Sequence, residues 1–129
     1  MESIMLKIAR VYIWIMALIL IINGIMWGLF PQMNLEMYGI IAQEAVSVNM
    51  IKSDIGGSLF AIGIISVLFL LRGHEFYLPL IILTISLATF RAISIIVDGP
   101  HLLSVSGVFL EILFALSVKF VRNNAEKTV

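Results

Sequence analysis

The chain has no cysteine. That excludes disulfides, a thiol nucleophile, cysteine-ligated zinc and iron–sulfur clusters. Charge is scarce as well. Only 12% of the 129 residues are Asp, Glu, Lys or Arg, about half the ~25% usual in a soluble domain. The formal net charge is zero, and no basic stripe interleaved with aromatics occurs, so nucleic acid is not an expected partner. No His/Glu grouping has metal-ligand spacing, no Ser–His–Asp arrangement is recognisable, and no cofactor motif is present. His74 and His101 fall in loops and read as solvated.

What is present is apolar. Hydrophobic residues make up 61% of the chain, and the mean hydropathy is +1.12. That is too apolar for a water-soluble core wrapped in a polar surface. Four runs stand out, at 11–30, 53–71, 78–97 and 102–121. Each approaches the ~20 residues a helix needs to cross the hydrocarbon. The runs are continuous rather than alternating, which excludes the strands of a membrane barrel. The expectation is an all-α membrane protein: one domain over 1–129, a four-transmembrane-helix antiparallel bundle surrounded by the lipid bilayer. The first run is long and lacks an A-x-A-like cleavage site, so it reads as a retained helix rather than a signal peptide.

Basic residues set the orientation. Lys7 and Arg10 precede the first span, Arg72 lies between the second and third, and Lys119, Arg122 and Lys127 close the chain. The two other loops hold only Lys52, at a helix edge. Both termini and the middle loop are therefore expected in the cytoplasm. Tyr12, Trp14, Trp27, Phe30, Phe76, Tyr77 and Phe120 sit at span ends, as interface anchors do. The 31–52 segment mixes Met33, Leu35, Met37, Tyr38, Ile40, Ile41, Val46, Val48 and Met50 with Gln32, Glu36, Gln43 and Glu44. It suggests a stretch in the outer interface with a short amphipathic helix, serving as a connector or as a lid. The turn at Asp98, Gly99 and Pro100 is so short that the last two helices must be antiparallel neighbours.

Polar residues inside these runs are the candidates for function. An ionisable group at helix-centre depth costs about 2.5–3.5 kcal/mol on insertion scales, so it is kept for a partner or a use. With 1.5 Å rise per residue, Arg91 falls about 10 Å below the outer boundary of a ~30 Å core, Glu111 about 13 Å, Asn23 about 10 Å and Asp54 about 3 Å. One polar residue from each helix is thus expected in the outer half of the bundle. Arg91 and Glu111 lie on adjacent helices at similar depth and are expected to pair. Asp98, seven residues from Arg91 on the same face, is a second candidate partner.

Each of these residues also has a plainer reading. The Arg91–Glu111 pair can fix helix register. Asp54 can be favoured by a helix N-terminus, with Ser53 as its cap. Asn23 can bond between helices. Small residues flank the charges, as Ser104, Gly107 and Ala115 beside Glu111, Gly57 and Ala61 beyond Asp54, Thr84, Ala88 and Ser94 around Arg91, and Gly24 with Gly28 near Asn23. Such stripes let helices approach closely, and they serve packing or a cavity.

The run SDIGGSLFAIG, then FRAIS, VDGP and FLE, resembles a family of small bacterial four-span membrane proteins of unknown function. The resemblance covers roughly residues 10–121 and rests on Asp54, Gly56, Gly57, Arg91, Asp98, Gly99, Pro100 and Glu111. It implies a multi-pass protein of the bacterial cytoplasmic (inner) membrane with a polar cluster, and no reaction. Small multidrug transporters fit less well, because they rely on a first-span glutamate that this chain lacks.

Three functions compete. The first is a small-ligand or ion binding or transport-type module using Asp54, Arg91, Glu111, Asn23 and Asp98. Four thin helices would need a homo-oligomer to conduct. The second is a structural or accessory subunit of a larger membrane complex. The third is an enzyme acting on a lipid or quinone, which carboxylate and arginine chemistry permits but no spacing demands.

Overall fold

The structure, a computed structural model, describes residues 3–37, 39, 45–100 and 102–125, with the side chains of these apart from positions 45–47, 74, 103 and 125. Among the described residues every regular element is helical: α1 (Ile4–Leu29), α2 (Pro31–Met37), α3 (Ala45–Met50), a π-helical segment (Ile51–Gly57), α4 (Ser58–Arg72), a 3-10 turn (His74–Phe76), α5 (Tyr77–Asp98) and α6 (Leu102–Ala125).

Local chemistry explains the breaks. Phe30 precedes Pro31, and a residue before proline is pushed out of the helical region. Pro31 itself opens α2, where its missing N–H costs nothing. At Gly73 the chain turns to φ +79°, and its N–H donates to the Phe69 carbonyl at 2.9 Å, closing α4 as glycine after a helix commonly does.

Four helical stretches are long and apolar enough to cross a membrane: Ile4–Leu29, Val48–Arg72, Tyr77–Asp98 and Ser104–Asn124. The shortest has 21 residues, or about 31 Å at the α-helical rise, which matches the hydrocarbon core. Large apolar side chains stand outward along them, with Ile96 83% and Ile4 77% exposed. Water would penalise that surface and lipid does not. The chain is a multi-pass, all-α membrane protein.

Two expected boundaries move. Lys7 and Arg10 lie within α1 rather than before it, because the helix begins at Ile4. The second span starts at Val48, not 53. Helix therefore already runs through Ser53 and Asp54, and they do not form a helix N-terminus. The 31–52 segment holds two short helices, α2 and α3. Tyr38, Ile40, Ile41, Gln43 and Glu44 lie outside the described residues, as do His101, Lys127 and the side chains of Val46 and His74.

Backbone contacts divide the chain into two compact units, Met1–Ile15 with Ile65–Val129, and Met16–Ile64. The first contains parts of all four spanning helices. Its core includes Leu6 and Ile13 of α1, Phe69 of α4, Leu80 of α5, and Phe114 and Val118 of α6. Within it α5 packs against α6, the antiparallel pair that the short turn predicts. Tyr12 of α1 donates to the Leu110 carbonyl at 3.0 Å and meets the Phe114 ring edge-on at 6.4 Å. The Arg122 guanidinium lies 4.2 Å from the centre of the Tyr77 ring.

The second unit packs through glycine. A Cβ on Gly24 would fall 2.5 Å from the Phe60 nitrogen, and one on Gly56 would fall 2.6 Å from the Gly28 nitrogen. The Gly24/Gly28 spacing read from the sequence is thus a backbone-to-backbone contact. On the π-helical side the contact residue is Gly56. Gly57 meets nothing within 4 Å, and Asp54, Gly57 and Ala61 are all exposed. The expected stripe of these three is not the packed face. Its α-helical period does not hold through the wider π turn, whose bonds run i to i+5.

Candidate functional site

Arg91 sits fourteen residues into α5 (Tyr77–Asp98), and Glu111 nine residues beyond the start of α6 (Leu102–Ala125). Because the two helices run antiparallel from a tight turn, these positions face each other. Nε of Arg91 lies 3.1 Å from Glu111 Oε1, and Nη2 lies 3.0 Å from the same oxygen. The Arg91 side chain is 39% exposed and that of Glu111 only 13%. The predicted pair therefore forms, with its carboxylate in the drier position.

Gly107, one turn before Glu111, makes room for the guanidinium. A Cβ there would lie 2.9 Å from Arg91 Nε and 3.0 Å from Cδ and Cζ. Both guanidinium nitrogens converge on Oε1, and this leaves Oε2 buried without a hydrogen-bond partner. An ionised carboxylate accepts at both oxygens, and an unmet buried acceptor costs about 1–3 kcal/mol, more when charged. The pair is thus half-satisfied.

Glu111 forms part of the wall of a groove of about 560 Å³ between α5 and α6. Ile81, Ile85, Val108 and Ile112 give it apolar walls, while Ala88 and Ala115 keep it open. Thr84 and Thr89 also line it. Their hydroxyls donate to Leu80 and Ile85 carbonyls, each at 2.8 Å, so toward the groove they can only accept. Lys119 and Tyr77 lie toward its other end. The small-residue stripe of Gly107, Glu111 and Ala115 therefore contributes both to the packing of the pair and to a cavity wall.

The other predicted site residues are placed differently. Asp98 accepts from Ser94 Oγ at 2.7 Å and is exposed. Its own-helix neighbour four residues back meets it, and Glu111 takes the guanidinium. Asn23 donates to the Ile19 carbonyl of its own helix at 2.9 Å rather than bonding between helices. Asp54 lies exposed in the π-helical segment, where its Oδ1 accepts from Ser53 Oγ at 3.0 Å. Ser53 Oγ also stands 3.1 Å from the Asn49 and Met50 carbonyls, so its one proton serves backbone oxygens as well as Asp54. Ser58 bonds back to the Asp54 and Ile55 carbonyls. Carbonyls whose usual i+4 partner is displaced by a π turn are met by these hydroxyls. Ser53 is thus a bridge within a continuous helix, not the cap expected of it.

Asn34 of α2 is a residue the sequence reading did not single out. It is 7% exposed, and its Nδ2 is buried without a partner. A polar amide in PQMNLEM looks like ordinary interfacial polarity, and nothing in its spacing marks it. No grouping of His, Asp or Glu among the described residues is arranged to hold a metal ion. No known protein family, curated protein or solved structure matches this chain.

Proposed function

We propose that this multi-pass protein is a small-ligand binding module of transport type, with its site at the Arg91–Glu111 pair on the α5–α6 groove. The observation that carries the proposal is Glu111, a lining residue of an apolar groove whose carboxylate keeps one buried oxygen, Oε2, without a partner. A group retained in the membrane only for packing would be expected to have its acceptors filled, since a half-satisfied buried pair is worse than an apolar contact. Asp54, Asn23 and Asp98 are carried in the proposal as auxiliary polar positions, each with a local partner of its own.

Native mass spectrometry of the protein released from its own membrane tests it, beside an Arg91→Met control. A bound mass other than the bulk phospholipids that disappears in the control is the expected result. A bare protein in both samples removes the proposal.

The second reading is an accessory subunit whose ion pair sets helix register. Gly107, fitted beneath the guanidinium, favours it. A stoichiometric protein partner that survives purification, with no small molecule bound, would support this reading over the first. An enzyme acting on a lipid or quinone ranks third.

The basic residues Lys7, Arg10, Arg72, Lys119 and Arg122 support cytoplasmic termini and a cytoplasmic 73–76 connection. The resemblance to small bacterial four-span proteins supports the cytoplasmic membrane as the location. Because the chain lacks cysteine, single cysteines at Gln32 and Glu75 report topology directly. An impermeant thiol reagent applied to intact cells should label the first and not the second.

A further inference from the structure

We propose, resting on the ligand-binding reading above, that the α5–α6 groove takes a membrane-dissolved amphiphile with an uncharged hydrogen-bond donor. The occupant is a hydroxyl on an apolar body, and its O–H donates a hydrogen bond to Glu111. Three observations give this chemistry. First, the Glu111 end of the groove offers acceptors only. Glu111 accepts from Arg91 through Oε1 and has Oε2 to spare, and the proton of Thr89 is committed to the Ile85 carbonyl. A ligand group seated there must donate. Lys119, the ammonium donor of the lining, is eight residues beyond Glu111, about 12 Å along α6.

Second, the donor must be neutral. Arg91 already balances Glu111. A cation added beside Ile85, Val108 and Ile112 would bring an unbalanced charge to hydrocarbon depth. A hydroxyl brings none.

Third, the remainder of the ligand must be apolar and enter sideways. The walls are aliphatic, and Ile85, Ile112 and Leu116 are exposed along the groove. Their neighbours in a membrane are lipid chains, so the occupant arrives from the bilayer rather than from water. The volume of about 560 Å³ suits one chain or ring system. Glu111 is a lining residue of the groove, and Oε2 is the carboxylate oxygen that Arg91 leaves unmet.

The test uses three probes of one chain length: hexadecanol, hexadecyl methyl ether and hexadecylammonium. Each is added to the full chain in phosphatidylcholine nanodiscs, and retention is read by native mass spectrometry. Hexadecanol should be retained roughly tenfold or more over the ether, the worth of one hydrogen bond to a charged acceptor. Glu111→Gln should erase that preference, because its amide oxygen stays with Arg91 and an N–H replaces the free acceptor. Ala88→Leu should block all three probes by filling the groove, and it carries the test if Glu111→Gln does not fold. Equal retention of alcohol and ether, or stronger retention of hexadecylammonium, overturns the neutral-donor assignment. If such retention is still lost in Ala88→Leu, the groove survives as a ligand site. No retention that responds to Ala88→Leu removes the groove, and the ligand-binding reading falls with it.

Discussion

The two units of the chain hold their helices together by opposite means. In the unit of Met1–Ile15 with Ile65–Val129, α5 and α6 meet through long side chains, an ion pair laid over Gly107. In Met16–Ile64, backbone meets backbone at Gly24, Gly28 and Gly56 with no charge involved. Lipid offers no hydrophobic drive for helix association, so packing and polar contacts must supply it. A backbone contact has no slack, whereas an arginine can shift. The glycine-packed unit should therefore be the less tolerant of added volume, and the charged unit the less tolerant of lost polarity.

The largest effect should come from breaking the charge pair on one side. Arg91→Met leaves both Glu111 oxygens unmet, and loss of one partner from a buried pair costs about 3–5 kcal/mol. The partial exposure of Arg91 lowers this to about 2–3 kcal/mol. Adding Glu111→Leu should recover part of the loss. If the two single changes simply add in the double variant, measured by unfolding in mixed micelles, the pair contributes nothing as a pair.

Next in size come the glycines. Gly24→Ala and Gly56→Ala place a methyl against backbone atoms and should each destabilise by about 1–3 kcal/mol, as overpacking does. Gly107→Ala meets only the far end of a side chain, so its cost should be smaller, about 1 kcal/mol. Thermal unfolding of the three variants in one detergent ranks them. A Gly107→Ala loss that equals or exceeds the Gly56→Ala loss would contradict the contrast between the units. Tyr12→Phe removes one hydrogen bond to a backbone carbonyl and should cost about 0.5–1.5 kcal/mol. The smallest effect is expected at Gly57→Ala, which meets open space. A substitution of glycine by alanine in an unstrained helix is neutral or stabilising by about 0.4–1 kcal/mol. A loss at Gly57 as large as at Gly56 would mean that Gly57 also lies on a packed face.

The spans were legible because lipid imposes one pattern, a long apolar run, and nothing else in the chain imitates it. The Arg91–Glu111 pair was legible for a related reason. A three-residue connection fixes which residues of α5 and α6 share a depth, and only two charges lie there. Local bonding was not legible. Asp98 and Arg91 share a face, but Ser94 is closer to Asp98 along the same helix and needs no second element to reach it. Asn23 likewise found a carbonyl four residues back. Composition also hid the start of the second span, since Asn49, Lys52, Ser53 and Asp54 look like a loop end while helix runs through them. Gly56 and Gly57 are the same residue type, and only the phase of the helix tells them apart.

That phase is set by the π-helical segment, which behaves like a dislocation in a crystal row. A wider turn is equivalent to one residue too many for the regular spiral, so the faces before and after it are out of step. Whichever residue lies beneath Gly28 depends on how many residues the segment holds. Chain length between Ile51 and Gly57 is therefore a packing variable in its own right. One residue gained or lost there rotates a different side chain into a contact that has room only for hydrogen.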